Sequence, residues 1–255
     1  MLAEGHVIIR ETTNRFTSSR ALYRVADQEL TLTERPSWEA GTRQGGGTVI
    51  QVNTASNRLS VNGEAWMRLP AGDLGGTRTL LSLKDQPIEE RPVPTNQFAE
   101  ITSQRYDLSS SNVFFLGDVR INHPQMNWQC DKVSIALSGK GGTAERILAE
   151  PKVTFQALNE RGQKISGAGD QAVYTRSIAD GLTNEIVELT GRPATLQATN
   201  GLTIKNNVLV LDVATGKFVV PPGRYRILGP TNRIDTNVFK LPDIKSFQQE
   251  RRRSK

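Results

Sequence analysis

The residues best suited to chemistry are few and lie far apart in the sequence. His6 and His123 are the only histidines, and Cys130 is the only cysteine. A metal site needs several such ligands at close spacing, and a nucleophilic triad needs a base that orients the nucleophile. Neither histidine has a second ligand nearby, and the sequence contains no Gly-x-Ser-x-Gly motif. We therefore expect no metal, no cofactor and no catalytic residue.

Two weaker patterns could still indicate an enzyme. GAGDQA at residues 167–172 fits the dinucleotide fingerprint, but that fingerprint requires a following helix, and residues 173–175 continue as a strand. We interpret it as a hairpin turn. Carboxylates near strand ends would suit a polysaccharide hydrolase or lyase if two of them converged, although we interpret them as solvated turn residues. These carboxylates are Asp118, Asp131, Glu150 and Asp170.

The composition favours short strands separated by turns. Of 255 residues only 36% are apolar, and 22 are glycine and 12 proline. The net charge is +6, but the final fifteen residues hold five basic and two acidic side chains, which leaves about +3 for the rest. We therefore expect no nucleic-acid partner and interpret the tail as a solvated terminus. A single cysteine excludes an internal disulfide.

The apolar runs alternate with polar residues, as in half-buried strands. Examples are TVIQV at 48–52, VFFLGDVRI at 113–121 and KVSIAL at 132–137, and no segment has a helical stripe. Dipeptides typical of turns separate the runs. They are Asn62-Gly63, Asp180-Gly181, Asn200-Gly201 and Thr215-Gly216. We predict an all-β protein.

One motif occurs twice. Leu-Thr-x-Arg-Pro ends at Pro36 and again at Pro193, each time downstream of an Ala-x-Tyr, at residues 21–23 and 172–174. Proline cannot donate to a sheet and makes the preceding residue extended, so the motif predicts a corner between strands. The repeat predicts two related β units, 1–70 and 98–230, of which the first is the less complete. A proline-rich connection, 71–97, and a basic tail, 231–255, complete the chain.

The order of these motifs resembles the OstA-like, or LptA, family, the β-jelly-roll module of lipopolysaccharide transport. Residues 113–227 carry the resemblance well, whereas residues 5–69 carry it loosely, with Glu34 where the corner normally has glycine. The matching stretches are Gly117-Asp-Val-Arg-Ile121, Trp128-x-Cys-Asp-x-Val133, Ala149-Glu-Pro-Lys-Val153, Gly169-Asp-x-Ala-x-Tyr174, Ile186-x-x-Leu-Thr-Gly-x-Pro193 and Leu209-x-Leu-Asp-x-x-Thr-Gly216.

The resemblance implies a twisted, open β-jelly roll built from two related antiparallel units. It further implies a non-enzymatic periplasmic protein that shields the acyl chains of lipopolysaccharide or a related lipid in an apolar groove. The open edges would join homologous modules of the transport machinery, or further copies of the chain, end to end. The N-terminal MLAEG is not a signal peptide. A periplasmic protein would therefore have its targeting segment outside this sequence, and a cytosolic location is the alternative.

For the lipid groove we predict alternating apolar residues of the second unit. They are Val119, Ile121, Val133, Ile135, Leu137, Val153, Phe155, Val187, Leu189, Ile204, Leu209 and Leu211. Three neighbouring basic residues, Arg120, Lys132 and Lys152, could meet lipid phosphates at the mouth of the groove. The same apolar residues would equally form an ordinary filled core, and the same basic residues could simply be solvated.

Two other interpretations stay open. One is a structural or carbohydrate-binding β-solenoid at the cell surface, with a filled interior and exposed aromatic residues that bind glycans. Trp38, Trp66 and Trp128 would be the candidate sugar platforms, although packing in the core or at its rim is their simpler role. The other is a β-helical polysaccharide enzyme, which needs carboxylates converging in one groove.

Overall fold

A computed structural model describes residues 1–11, 14–74, 98–124, 126–137, 144–158, 164–179, 182–198, 201–212, 217–219 and 226–228. These residues form one antiparallel sheet of 18 strands and a short 3₁₀ helix, Ala71–Leu74. The fold is the predicted all-β one, a twisted and open β-jelly roll. The strands are β1 Leu2–Glu11, β2 Asn14–Arg24, β3 Glu29–Thr33, β4 Ser37–Ala40, β5 Arg43–Gly46, β6 Val49–Asn53, β7 Arg58–Pro70, β8 Phe98–Leu108, β9 Asn112–His123, β10 Met126–Leu137, β11 Ala144–Glu150, β12 Val153–Leu158, β13 Lys164–Gly169, β14 Gln171–Ala179, β15 Leu182–Ala198, β16 Thr203–Asp212, β17 Lys217–Val219 and β18 Arg226–Leu228.

The strands stack as rungs, and each rung bends near its middle into two arms. β2 pairs with β4 through residues 14–17 and with β3 through residues 20–24. β10 likewise pairs with β12 through residues 126–129 and with β11 through residues 132–137. A rung is therefore either one bent strand or two short strands in series, and the chain passes back and forth between neighbouring rungs.

We name the arms after two of their residues. The arm with Tyr106 is the Tyr arm, and the arm with Trp38 is the Trp arm. The two arms meet at the bends, which we call corners, and separate toward the hairpins, where the opening between them is the mouth. The Tyr arm contains residues 20–24, 29–33, 49–53, 58–62, 105–108, 112–116, 132–137, 144–150, 171–179, 182–190 and 208–212, and the Trp arm contains residues 14–17, 37–40, 43–46, 65–70, 98–102, 119–123, 126–129, 153–158, 164–169, 194–198 and 203–206.

A continuous row of apolar side chains lines the inside of the Tyr arm. Directly paired residues of adjacent antiparallel strands face the same side of the sheet, so the period-two pattern of each strand builds one ladder across many rungs. Every member is at most 4% exposed. In order of pairing the row is Ala21, Leu32, Ile50, Val61, Tyr106, Phe115, Val133, Ala149, Ala172, Leu189 and Leu209.

The inside of the Trp arm has a different packing arrangement, in which an aromatic ring lies against a glycine of the next rung, and this arrangement occurs twice. Phe16 pairs with Trp38, which pairs with Gly45, and six rungs further along Trp128 pairs with Phe155, which pairs with Gly167. In both places a Cβ on the glycine would collide with the aromatic ring of the preceding rung. The glycine therefore leaves room for a ring to lie flat on the next strand, and this repeat is not visible as a sequence motif.

Several corners share a hydrogen bond from a small side chain. Ser18 Oγ donates to the carbonyl of Arg20 at 3.1 Å, and Ser103 Oγ donates to that of Arg105 at 3.0 Å. Cys130 Sγ occupies the equivalent position and donates to the carbonyl of Lys132 at 3.3 Å. The three side chains are at most 8% exposed, so each corner hydrogen bond has a buried donor.

This equivalence predicts the behaviour of Cys130 variants. We expect Cys130→Ser to be about 1 kcal/mol more stable than Cys130→Ala, because the hydroxyl can keep the corner hydrogen bond and alanine cannot. Urea unfolding followed by circular dichroism measures the difference. Equal stability of the two variants would show that the bond contributes nothing at this corner.

The corners also correct two turn assignments. Asn62-Gly63 lies in the middle of β7, and Gly169-Asp170 joins β13 to β14 as the two halves of one rung, so neither is a hairpin turn. Gly63 has a positive φ of 72° and marks a register shift of the strand pair, which is a bulge and not a chain reversal. The other three turn dipeptides lie wholly or partly outside the described residues.

Both copies of Leu-Thr-x-Arg-Pro lie at corners, as the sequence predicts. Pro36 lies between β3 and β4. Pro193, which follows a cis peptide bond, lies where the pairing of β15 with β16 shifts register.

Most of the connection 71–97 and all of the tail 231–255 lie outside the described residues. β7 and β8, on either side of the connection, pair along nearly their whole lengths. The proposed unit boundaries stay a prediction.

Candidate functional site

A narrow apolar cleft of about 110 Å³ opens between the arms at the mouth. Both arms line it, and all but two of its side chains are uncharged. From the Tyr arm come Leu108, Val113, Phe115, Ile135 and Leu137, from the Trp arm Trp38, Ala40, Arg43, Met67, Leu69 and Ile101, and from the 3₁₀ helix Asp73 and Leu74. Pockets for drug-sized ligands measure roughly 300–1,000 Å³. The cleft therefore holds only part of a larger molecule unless the arms separate.

A hydrogen bond between the arms lies beside this cleft. Trp38 Nε1 donates to the Tyr106 hydroxyl at 2.6 Å, and both side chains are at most 4% exposed. Phe115, a cleft residue, has its ring centroid 5.5 Å from that of Tyr106. Burial raises the pKa of Tyr106, and the hydrogen bond from Trp38 offsets this only in part. The phenol therefore stays neutral and links the two arms through the interior.

An ion pair marks the rim of the cleft. Arg43 Nε lies 2.8 Å from Asp73 Oδ2, and the two side chains are 36% and 29% exposed. Because solvent reaches both partners, the pair contributes about 1 kcal/mol or less. It holds the 3₁₀ helix against β5 and keeps the two charges paired at the edge of an otherwise apolar surface.

All twelve residues predicted for the groove face the interior. Val133, Leu189 and Leu209 belong to the inner row of the Tyr arm, while Ile121, Phe155 and Ile204 occupy the paired row of the Trp arm. Ten of the twelve are at most 9% exposed, and Leu137 and Phe155 are half-buried. Two of them, Ile135 and Leu137, line the mouth cleft. The structure thus places them together as packing, and their contact with lipid stays a prediction.

The three basic residues lie at corners, on the side opposite the mouth. Arg120 pairs with Asp118 at 2.8 Å, Lys132 with Glu150 at 3.5 Å, and Lys152 with Asp131 at 3.1 Å. The corner places each base within reach of a carboxylate on its own or the adjacent rung. None of the three lines the mouth cleft, and their contact with lipid phosphate stays a prediction.

These pairs also show where the four carboxylates lie. Asp118, Asp131 and Glu150 flank three successive corners, and Asp170 lies at the next one. In the part of the chain that the structure describes, no group of three His, Cys, Asp or Glu residues could hold a metal ion. Burial raises the pKa of the Cys130 thiol to about 11, which keeps it protonated and poorly nucleophilic.

The tryptophans separate into interior and exterior residues. Trp38 is buried, and Trp128 stacks on Phe155 with ring centroids 5.5 Å apart inside the Trp arm. Trp66 alone faces outward, where a Cβ on Gly46 would come within 2.9 Å of its Nε1.

Among the described residues no helix has the length and apolar character to span a bilayer.

The groove prediction missed most of the cleft. It was confined to the second unit, whereas the cleft draws on Trp38, Met67 and Leu69 from the first unit and on Ile101 and Leu108 from β8. The alternation in RLSVNGEAWMRL and FAEITSQRYDL could have revealed four of these residues, Met67, Leu69, Ile101 and Leu108. The bond between Trp38 and Tyr106 joins residues 68 positions apart and has no sequence signal.

Comparisons with known proteins found similarity to proteins of lipopolysaccharide transport. A solved structure similar to this chain is that of LptH, the LptA-homologous periplasmic component of the lipopolysaccharide transport device of Pseudomonas aeruginosa. It is 8% identical, has a TM-score of 0.38, and the match covers 58% of this chain and 84% of that one. No curated protein matches significantly. The family model of the LptA and LptD N-terminal domain, LPS transport proteins, matches residues 100–217. Over these residues the chain is similar to the LptA-like, or OstA-like, family.

Proposed function

We propose that the protein binds the acyl chains of lipopolysaccharide or a related lipid between its two arms and shields them in the periplasm. The apolar cleft at the mouth is the observation that carries this proposal, because both arms contribute to it and it continues into apolar inner rows. The family match over residues 100–217 supports the transport role. No step requires catalysis, so the protein acts as a carrier.

The size of the cleft implies that the arms separate when lipid binds. The inner rows are almost completely buried, as a structural β-solenoid would also have them. An acyl chain that entered beyond the mouth would replace contacts between the arms with contacts to lipid, at little net cost in apolar burial. The hydrogen bond between Trp38 and Tyr106 is the polar contact that such an opening would have to break or bypass.

The end of the sheet suits association with a similar module. Within the described residues β1 pairs only with β2, and Leu2 and Ile8 are each 51% exposed. An unpaired strand edge can add a strand from another chain through main-chain hydrogen bonds. We propose that homologous modules, or further copies of this protein, dock at this edge.

Photo-crosslinking along β10 tests the lipid proposal. Photoreactive residues at Ile135 and Leu137 should crosslink to lipopolysaccharide, because both line the cleft. Matched probes at Ser134 and Ala136 on the same strand face outward and should not. The expected result is thus a yield that alternates with a period of two residues. Equal yields at all four positions, or none at any, would overturn the proposal.

A further inference from the structure

The outer face of the Trp arm changes its chemistry halfway along the stack. One row of directly paired residues, the row nearer the mouth, crosses eleven rungs of this face, so its members can be compared position by position. The first five members include four charged side chains, and the last six include none. In order of pairing the row is Arg15, Glu39, Gln44, Arg68, Glu100, Asn122, Asn127, Gln156, Ser166, Gln197 and Thr203.

The uncharged half of this row forms one side of a concave surface. Together with the adjacent row it bounds an open depression of about 410 Å³, a size typical of ligand sites. Trp128, Phe155 and Gly167 also border it, but they belong to the inner row of the Trp arm, and the Trp128 and Phe155 rings stack inside that arm. The adjacent row consists of Arg120, Gln129, Thr154, Ala168 and Thr195. We call this depression the amide face.

The polar groups of the amide face are left available. The side chains of Asn122, Asn127, Gln156 and Gln197 make no hydrogen bond within the part of the chain that the structure describes. The single charge, on Arg120, is neutralised by Asp118 at 2.8 Å. Asn122, Asn127 and Gln156 thus stand in register on three adjacent strands about 4.8 Å apart, and Gln197 follows beyond Ser166. Each of these amides can donate and accept hydrogen bonds.

This chemistry favours a sugar over other ligands. A phosphate or carboxylate site would present unpaired cations, and a protein interface would present aromatic or aliphatic anchors at its centre. Hydroxyl groups of sugars both donate and accept, and amides and hydroxyls match them in both respects. An array of neutral donors and acceptors in a shallow depression is therefore suited to an uncharged oligosaccharide.

We infer that the amide face binds the uncharged sugar residues of a glycolipid whose acyl chains enter the interior at the mouth. The outer row runs beside the mouth: Asn122 and Asn127 flank the hairpin between β9 and β10, at the end of the Trp arm. A head group that emerges from the cleft would therefore lie next to this row. The inference rests on the proposed lipid function and adds a second, polar contact surface to it.

Side-chain amide signals of the labelled full-length protein test this inference by NMR. The probes are a lipopolysaccharide oligosaccharide, fully deacylated and dephosphorylated, and dodecanoate, which has no sugar. The oligosaccharide should shift the NH₂ signals of Asn127 and Gln156 and leave that of Gln44 unchanged. Dodecanoate should instead shift the methyl signals of Leu137. The double variant Asn127→Ala, Gln156→Ala should bind the oligosaccharide about tenfold to thirtyfold more weakly, because each lost hydrogen bond contributes about 1 kcal/mol.

Gln44→Ala is the matched control, since Gln44 belongs to the charged half of the same row. It should bind the oligosaccharide as the wild type does. If the oligosaccharide shifts no signal of the amide face, or if the control and the double variant bind equally, the inference is wrong even if dodecanoate reaches Leu137. If the oligosaccharide binds but lipopolysaccharide does not crosslink at Leu137, the lipid proposal fails and the sugar cannot come from a glycolipid held by the cleft.

Discussion

Gly45→Ala should lower the free energy of unfolding by about 3 kcal/mol, the upper part of the usual range for overpacking a core. The added Cβ would lie 2.6 Å from Trp38 Nε1 and would also collide with the Tyr106 hydroxyl. Both groups are buried and bonded to each other, so neither can move aside without exposing an unpaired polar atom. Urea unfolding monitored by tryptophan fluorescence measures the loss.

Gln44→Ala provides the control for this substitution, because Gln44 is adjacent and faces outward. It should change the free energy of unfolding by less than about 0.5 kcal/mol, as most surface substitutions do. A Gly45→Ala protein as stable as this control would mean that the Trp38 and Tyr106 rings are not fixed where the structure places them.

The second large effect concerns lipid binding. Leu137→Glu should weaken the binding of lipopolysaccharide by about tenfold or more, because an acyl chain in the cleft would have to cover an ionised carboxylate. Leu137 is half-buried at the mouth, so the carboxylate keeps its water in the free protein and the fold should survive. Fluorescence titration with labelled lipopolysaccharide measures the dissociation constant.

Ala136→Glu adds the same charge one residue earlier, on the outer side of β10. It controls for repulsion between the new carboxylate and an anionic lipid, and it should bind nearly as well as the wild type. If both variants lost affinity equally, charge repulsion would explain the result and the cleft would not be the binding site.

The strands were predictable from the sequence because their burial has a period of two. VFFLGDVRI shows this clearly: Val113, Phe115, Val119 and Ile121 face inward, and the alternation keeps its phase through the corner at Gly117. Gly117 has a positive φ of 78° and opens a bulge, in which residues 117 and 118 lie opposite the single residue 131 of β10. On β10 the phase does change, between Cys130 and Val133, so a change of phase locates the corner in some rungs and not in others.

What the sequence concealed was the distinction between a corner and a hairpin. Asn-Gly and Gly-Asp permit a positive φ in either structure, so Asn62-Gly63 and Gly169-Asp170 gave no local sign that the chain continues into the other arm. The contacts between the arms were hidden for a related reason. Trp38 and Tyr106 lie in different arms and on different rungs, so their contact depends on how the whole stack folds.

The rung architecture also makes the length of the interior a simple function of chain length. The thirteen rungs that the structure describes, spaced about 4.8 Å apart, extend over roughly 58 Å, and the same two arms recur along the stack. Because successive rungs run in opposite directions, the strands of a duplicated segment run in the same direction as the originals only if the duplication adds an even number of rungs. The aromatic-glycine repeat spans six rungs, which meets this condition. Adding or deleting one hairpin would therefore alter the reach of the interior by about 10 Å without changing its walls.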